Sequence, residues 1–246
     1  MARRRAGRRG QLTFGARVTE RPETGRGGFR KKAGRKKGNR VSHGQRARFS
    51  RHHPLHVTLR VREEAAGLRR RDAFTVMRRC IAQSGRAGFR VCEFNVLANH
   101  VHLVCEADGA RDLTIGVQSL ATRMALRFNR RLGRRGKVFA DRYHARVMRT
   151  PRQVRATLVY VIQNLRHHAE GRRDRLAWDP FSSAASFAGW AAPLPRGAPW
   201  MQAALATARA TAPPATWLLS TGWRLLGLVG LEEAPALARR HAGSRP

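Results

Sequence analysis

The sequence predicts an α+β domain of the ferredoxin-like kind, an antiparallel sheet with helices on one face. Three observations lead there. Strand-like and helix-like apolar periodicities follow one another as strand, helix, strand, strand, helix, strand, helix. The two middle strands are separated only by Ala98-Asn99, a connection short enough to require a hairpin. The chain, 246 residues with 42% hydrophobic and 26% charged content, is long and apolar enough to bury one good core and a small second one.

Taken in order, residues 1–50 stand outside this pattern. They are rich in Lys and Arg, carry glycines from Gly25 to Gly38 and have almost no apolar periodicity, so they are expected to form a disordered basic tail. Within it Lys31, Lys32, Arg35, Lys36 and Lys37 would add phosphate affinity that is independent of base sequence. The first strand is expected at 54–61, where Leu55, Val57, Leu59 and Val61 alternate with more polar positions. Asp72 is placed to cap a helix with Phe74, Met77 and Ile81 on one face, ending before Gly85. A strand at 89–97 leads through the tight turn into a strand that contains Asn99-His100-Val101-His102-Leu103-Val104. Asp112 opens a long helix with an apolar stripe of Leu113, Val117, Leu120, Met124, Phe128 and Leu132. Its remaining faces carry Arg123, Arg127, Arg130 and Arg131, a solvated side that doubles as a DNA-binding groove. A fourth strand is expected over 143–148. Thr150 then caps a last helix with Pro151 in its first turn, running to about His168.

The charge is lopsided, 50 Lys+Arg against 15 Asp+Glu for a formal +35, which calls for a polyanionic partner such as nucleic acid. Cys80, Cys92 and Cys105 form no CxxC pair, which excludes a zinc ribbon and suits small core residues in a reducing compartment. No apolar run is long enough to span a bilayer, and the expected location is the cytoplasm, in association with the nucleoid.

Alternation along a strand sends His100 and His102 to one face, about 7 Å apart, and Val101, Leu103 and Cys105 to the other. Two imidazoles so placed can share a divalent metal if a third ligand approaches from a neighbouring element. On the last helix Val154, Leu158, Val161 and Leu165 form the core face, and Tyr160 and Asn164, four residues apart, share its flank at the edge of the sheet.

These motifs resemble those of the Y1 tyrosine transposases of the IS200-like type, closest to their REP-associated branch, within the HUH single-strand nuclease superfamily. The resemblance spans residues 53–171. It rests on Asn99-His100-Val101-His102-Leu103, on Tyr160 with Asn164 four residues on, and on Phe139-Ala140-Asp141-Arg142-Tyr143 ahead of the fourth strand. Leu165 stands where relatives commonly have proline, so the helix is expected to continue. The resemblance implies a catalytic domain over 51–171, and the residues after it, 172–246, read as a loop-rich connector with C-terminal helices at 201–210 and 216–228. It implies that Tyr160 is the nucleophile. His100, His102 and an amide would hold Mg²⁺ or Mn²⁺; Asn164 is preferred and Gln163 competes as the third ligand. The implied reaction is transesterification through a 5'-phosphotyrosine on single-stranded DNA beside a hairpin, by a monomer or a homodimer. Tyr143, lacking an amide four residues on, is assigned to packing or base stacking. Two other readings stay open, a relative that binds hairpins without cutting, and an RNA-binding module, although the strands lack the aromatic pair such modules use.

Overall fold

A computed structural model describes residues 48–164, 178–195 and 210–235. The basic run of the tail, Leu165, His168 and most of the segment expected to be helical at 201–210 lie outside them.

Four strands, β1 (Leu55–Arg60), β2 (Phe89–Val96), β3 (His100–Ala107) and β4 (His144–Val147), form one antiparallel sheet in the order β2-β3-β1-β4. This is the split arrangement the element order predicts. The β2-β3 hairpin closes where Leu97 N–H donates to the His100 carbonyl at 2.9 Å. A bulge between Val91 and Glu93 shifts the register, so Cys92 and Phe94 end up on opposite faces.

Helices α1 (Arg71–Ala82) and α2 (Ala110–Arg131) pack together on one face, over Val57, Leu59, Phe94, Val101, Leu103 and Cys105. Gly116 lets α2 descend onto Phe89, since a Cβ there would run into the ring. Neither Asp72 nor Asp112 is the cap. The helices begin at Arg71 and Ala110, which places both acids within the first turn, and the Asp72 carboxylate accepts from Ala73 N–H at 2.8 Å. An acid there still complements the helix dipole.

Helix α3 (Pro151–Ile162) crosses the opposite face. Thr150 caps it as expected, its hydroxyl accepting from Gln153 N–H at 3.2 Å, with Pro151 at the first position. The helix ends at Ile162 with a turn at Gln163, and the expected continuation from Leu165 to His168 lies outside the described residues. Its apolar side, Val154, Leu158, Val161 and Ile162, meets Val104 and Cys92 from the sheet and Trp178, Leu219 and Trp223 from the C-terminal part in a second core. The segment expected as one helix over 216–228 is a turn of helix, α4 (Trp217–Ser220), and a 3-10 stretch (Gly222–Leu226). The break falls at Thr221, next to Gly222, where a Cβ would lie 2.6 Å from the Trp217 ring.

Residues after Trp178 also extend the sheet. Val96 N–H donates to the Phe181 carbonyl at 2.8 Å and Ser183 N–H to the Phe94 carbonyl at 3.0 Å, along the outer edge of β2. Asp179, fully buried, accepts both Nη atoms of Arg69 at 2.8 and 2.9 Å. All three cysteines are free and buried in the cores, and burial pushes their thiols up. Among the described residues, no helix is long and apolar enough to cross a membrane.

Candidate active site

The hairpin register decides what surrounds the two histidines. With Val101, Leu103 and Cys105 committed to the α1-α2 core, His100 and His102 emerge on the α3 face. Across from His102 stand Thr58 on β1 and Asn95 on β2, and across from His100 stands Arg60. His56 occupies the same face of β1, two residues before Thr58.

Each histidine is held through its Nδ1. His100 Nδ1 donates to Asn99 Oδ1 at 2.6 Å, which puts the ring's acceptor lone pair on Nε2. His102 Nδ1 lies 3.0 Å from His56 Nε2 and 3.2 Å from Thr58 Oγ1. With Nδ1 as donor to either, the lone pair of His102 also falls on Nε2. Tyr160 hangs from α3 above this pair, its ring centroid 5.1 Å from His102 and 5.8 Å from His56, edge-on to both. The His100 and His102 rings are 4.6 Å apart at 85°. The structure therefore gathers Tyr160, His100 and His102 as the sequence pattern expects, and adds His56. Burial, reinforced by His144, Arg146 and His100 nearby, lowers the His56 pKa to about 4.

Asn164 follows one turn after Tyr160 and is fully buried rather than at a half-exposed sheet edge. Among the described residues neither its Oδ1 nor its Nδ2 finds a hydrogen-bond partner. A buried amide left so is costly, and a ligand for its oxygen is one way to remove the cost. Gln163 is engaged elsewhere: its Nε2 donates to the carbonyls of Leu231 at 2.8 Å and Gly230 at 3.2 Å, tying α3 to the C-terminal segment. Among the described residues no three His, Cys, Asp or Glu side chains form a metal cluster. A divalent ion here would have His100, His102 and the amide oxygen of Asn164 as donors, a set whose chemistry fits one. The end of α3 is fixed by Asn95, whose Nδ2 donates to the Val161 carbonyl at 2.8 Å.

The remaining candidates lie elsewhere. Tyr143 is buried in the α1-α2 core with its hydroxyl 3.2 Å from Thr114 Oγ1, on the side of the sheet away from the histidines. Arg127, Arg130 and Arg131 line a groove between α1 and α2 with Arg70, Arg71 and Arg79, also on that side. Arg127 donates to Gln83 Oε1 at 2.6 Å and Arg123 to the Gln83 carbonyl. In the sequence His56 is one of several polar positions in an alternating strand. Only cross-strand register gives it meaning.

No protein-family model matches the sequence, and no curated protein matches it. Among solved structures, the chain is similar to a REP-associated tyrosine transposase bound to a REP hairpin, with 16% identity and a TM-score of 0.46 over 58% of this chain and 82% of that one. A second similar structure is a proposed transposase from Deinococcus radiodurans R1, with 13% identity and a TM-score of 0.33 over 54% of this chain and 97% of that one. Both neighbours are described as transposases.

Proposed function

We propose that this chain nicks and joins single-stranded DNA by transesterification at Tyr160, as the Y1 transposases it resembles in sequence do. The observation that carries the reading is the phenol of Tyr160 held edge-on against His56 and His102, beside His100, on one sheet face. A phenol is a weak nucleophile near neutral pH, so it needs a fixed position and a polarised electrophile. Helix α3, anchored by Asn95 and by the second core, supplies the fixed position.

In the proposed step the Tyr160 oxygen bonds to phosphorus as the bond from phosphorus to the 3'-oxygen breaks. The products are a 5'-phosphotyrosine and a free 3'-hydroxyl, with the phenolic proton released and one taken up by the departing oxygen. The phosphodiester is exchanged rather than hydrolysed, so a second 3'-hydroxyl can reverse the step and join strands. His100, His102 and Asn164 would hold Mg²⁺ or Mn²⁺, which when bound stabilises negative charge on the scissile phosphate. Asn99 and His56 keep the two imidazoles in the tautomer and orientation that this requires.

The test is incubation of the full chain with end-labelled, hairpin-bearing single strands with and without Mn²⁺, followed by denaturing electrophoresis. A labelled band at the mass of the protein-DNA adduct, absent without the metal and with unbroken duplex, is expected. No adduct with any hairpin strand would overturn the reading, and an adduct that persists in EDTA would remove the metal from it.

A further inference from the structure

Helix α3 leaves part of its sheet face uncovered. It packs on β2 and β3, whereas the β1-β4 half of the same face carries Arg60, His144 and Arg146, all exposed. The register places them. Arg146 lies opposite His56, His144 opposite Thr58, and Arg60 opposite His100. From strand spacings, the Arg60 and Arg146 backbones are about 8 and 12 Å from that of His102, on either side of it, and about 14 Å from each other. An arginine side chain closes most of such distances. Among the described residues no carboxylate lies within 4 Å of either guanidinium, and neither makes a hydrogen bond. His144 stands between them on the outer strand. Tyr160, in ring contact with both His56 on β1 and His102 on β3, sits on the boundary between the covered and the open half.

We infer that the open β1-β4 half of the sheet is the track on which the strand to be cut lies, with Arg60 and Arg146 holding backbone phosphates on either side of the Tyr160 position and His144 stacking on a base. This rests on the reading of Tyr160 as nucleophile and gives that site its substrate contacts. The charges form one diagonal line beside the wall of α3, with an exposed ring on it. That is the arrangement of a single-strand platform, in which cations follow one backbone and a π-face takes a base. A duplex would present two backbones and no free base face. The α1-α2 arginine groove lies across the sheet from Tyr160, so its phosphates cannot be the ones that react.

Binding of a fluorescent single strand to the full chain, carried out without metal in a Tyr160→Phe background, tests the track without requiring cleavage. Replacing Arg60 and Arg146 together by Ala removes two phosphate contacts. The slope of log affinity against log salt should become shallower by about 1.4, and affinity near physiological salt should fall about tenfold. The Gln double variant, which keeps the length of each side chain, should behave the same. His144→Ala should weaken single-strand binding about fivefold or more, with His144→Phe restoring it. Arg86→Ala/Arg111→Ala, at exposed positions before β2 and at the start of α2, is the control and should leave the single-strand slope nearly unchanged. An unchanged slope with affinity within twofold in both Arg60/Arg146 variants overturns the track, as does an equal loss of slope for duplex. The adduct assay separates the two claims. Wild-type adduct formation with an unchanged slope removes the track alone, while loss of slope without any adduct removes the nucleophile and leaves the surface.

Discussion

The two faces of the sheet are built by opposite rules. On the α1-α2 face every inward position of β1, β2 and β3 is apolar and buried, Leu55, Val57, Leu59, Phe94, Val96, Val101, Leu103 and Cys105, and two helices seal it. On the other face the same strands present His56, Thr58, Asn95, His100 and His102, and one helix covers only part of them. The first face makes the fold stable. The second tolerates buried polar groups, Asn164 among them, whose cost the first must offset. A change to one face should therefore be felt as stability and a change to the other as chemistry, and this contrast can be tested from both sides.

The largest effect is expected at Tyr160. Tyr160→Phe should abolish the covalent adduct while strand affinity stays within about threefold, because it removes a hydroxyl and no charge. Tyr143→Phe, on the sealed face, should leave the adduct intact; an adduct that followed Tyr143 instead would refute the assignment. Next are His100→Ala and His102→Ala. Each should eliminate metal-dependent cleavage and weaken Mn²⁺ binding, measured by calorimetry, without moving the unfolding midpoint of metal-free protein by more than a few degrees. Asn164→Ala should weaken Mn²⁺ binding as well, and Gln163→Ala should not.

On the sealed face, Phe128→Ala should cost about 3–5 kcal/mol in a denaturant titration. Gly116→Ala should cost about 1–3 kcal/mol, since its Cβ meets the Phe89 ring. Surviving protein of either kind should keep its adduct-forming activity per folded molecule. The smallest effect concerns pH. Burial holds His56 at about 4 in the folded chain against 6.5 when unfolded. Below 6.5 the unfolded state takes up a proton that the folded state refuses, so this site favours unfolding progressively as pH falls towards 4, by up to about 3 kcal/mol, and contributes nothing above 6.5. The measurement is urea unfolding of metal-free wild type and His56→Phe between those limits. If the wild type has no steeper pH dependence than the variant, the burial of His56 is not felt in stability.

Much of the sealed face was legible because its signals are local. Alternation in β1, the two-residue turn before His100, and Thr150 followed by Pro151 each act within a few residues, and each is where the pattern puts it. The placement of Asp72 and Asp112 erred by part of a turn because an acid in the first turn gives much the same electrostatic signal as a cap. The face that carries the histidines was legible only in part. His100, His102 and Tyr160 carry spacing motifs, but His56, Arg60 and Arg146 are isolated in sequence and acquire neighbours only through strand register over forty residues or more. Arg123, Arg127, Arg130 and Arg131 cluster visibly along the long helix, and the structure sets them on the α1-α2 side of the sheet. Nothing local announces that α3 turns to the opposite face from α1 and α2. That choice depends on the second core, which the residues around Trp178 and Trp223 complete.

The pairing of Phe181 and Ser183 with β2 has a further consequence, for how the protein behaves in concentrated solution. A sheet exposes two raw borders that can recruit the same borders of other molecules. Here the β2 border is already occupied by the chain's own later residues, and the β4 border is only four residues long and bears Arg146, a charge that repels its copy. A polypeptide cut after Asn164 would keep all four strands and the three gathered side chains, yet would uncover the whole length of β2, eight residues of it. It should associate through that border rather than stay dispersed. The residues beyond α3 thus act as a hem on the fabric, and shortening the protein to its motif-bearing half would leave it to fray into its neighbours.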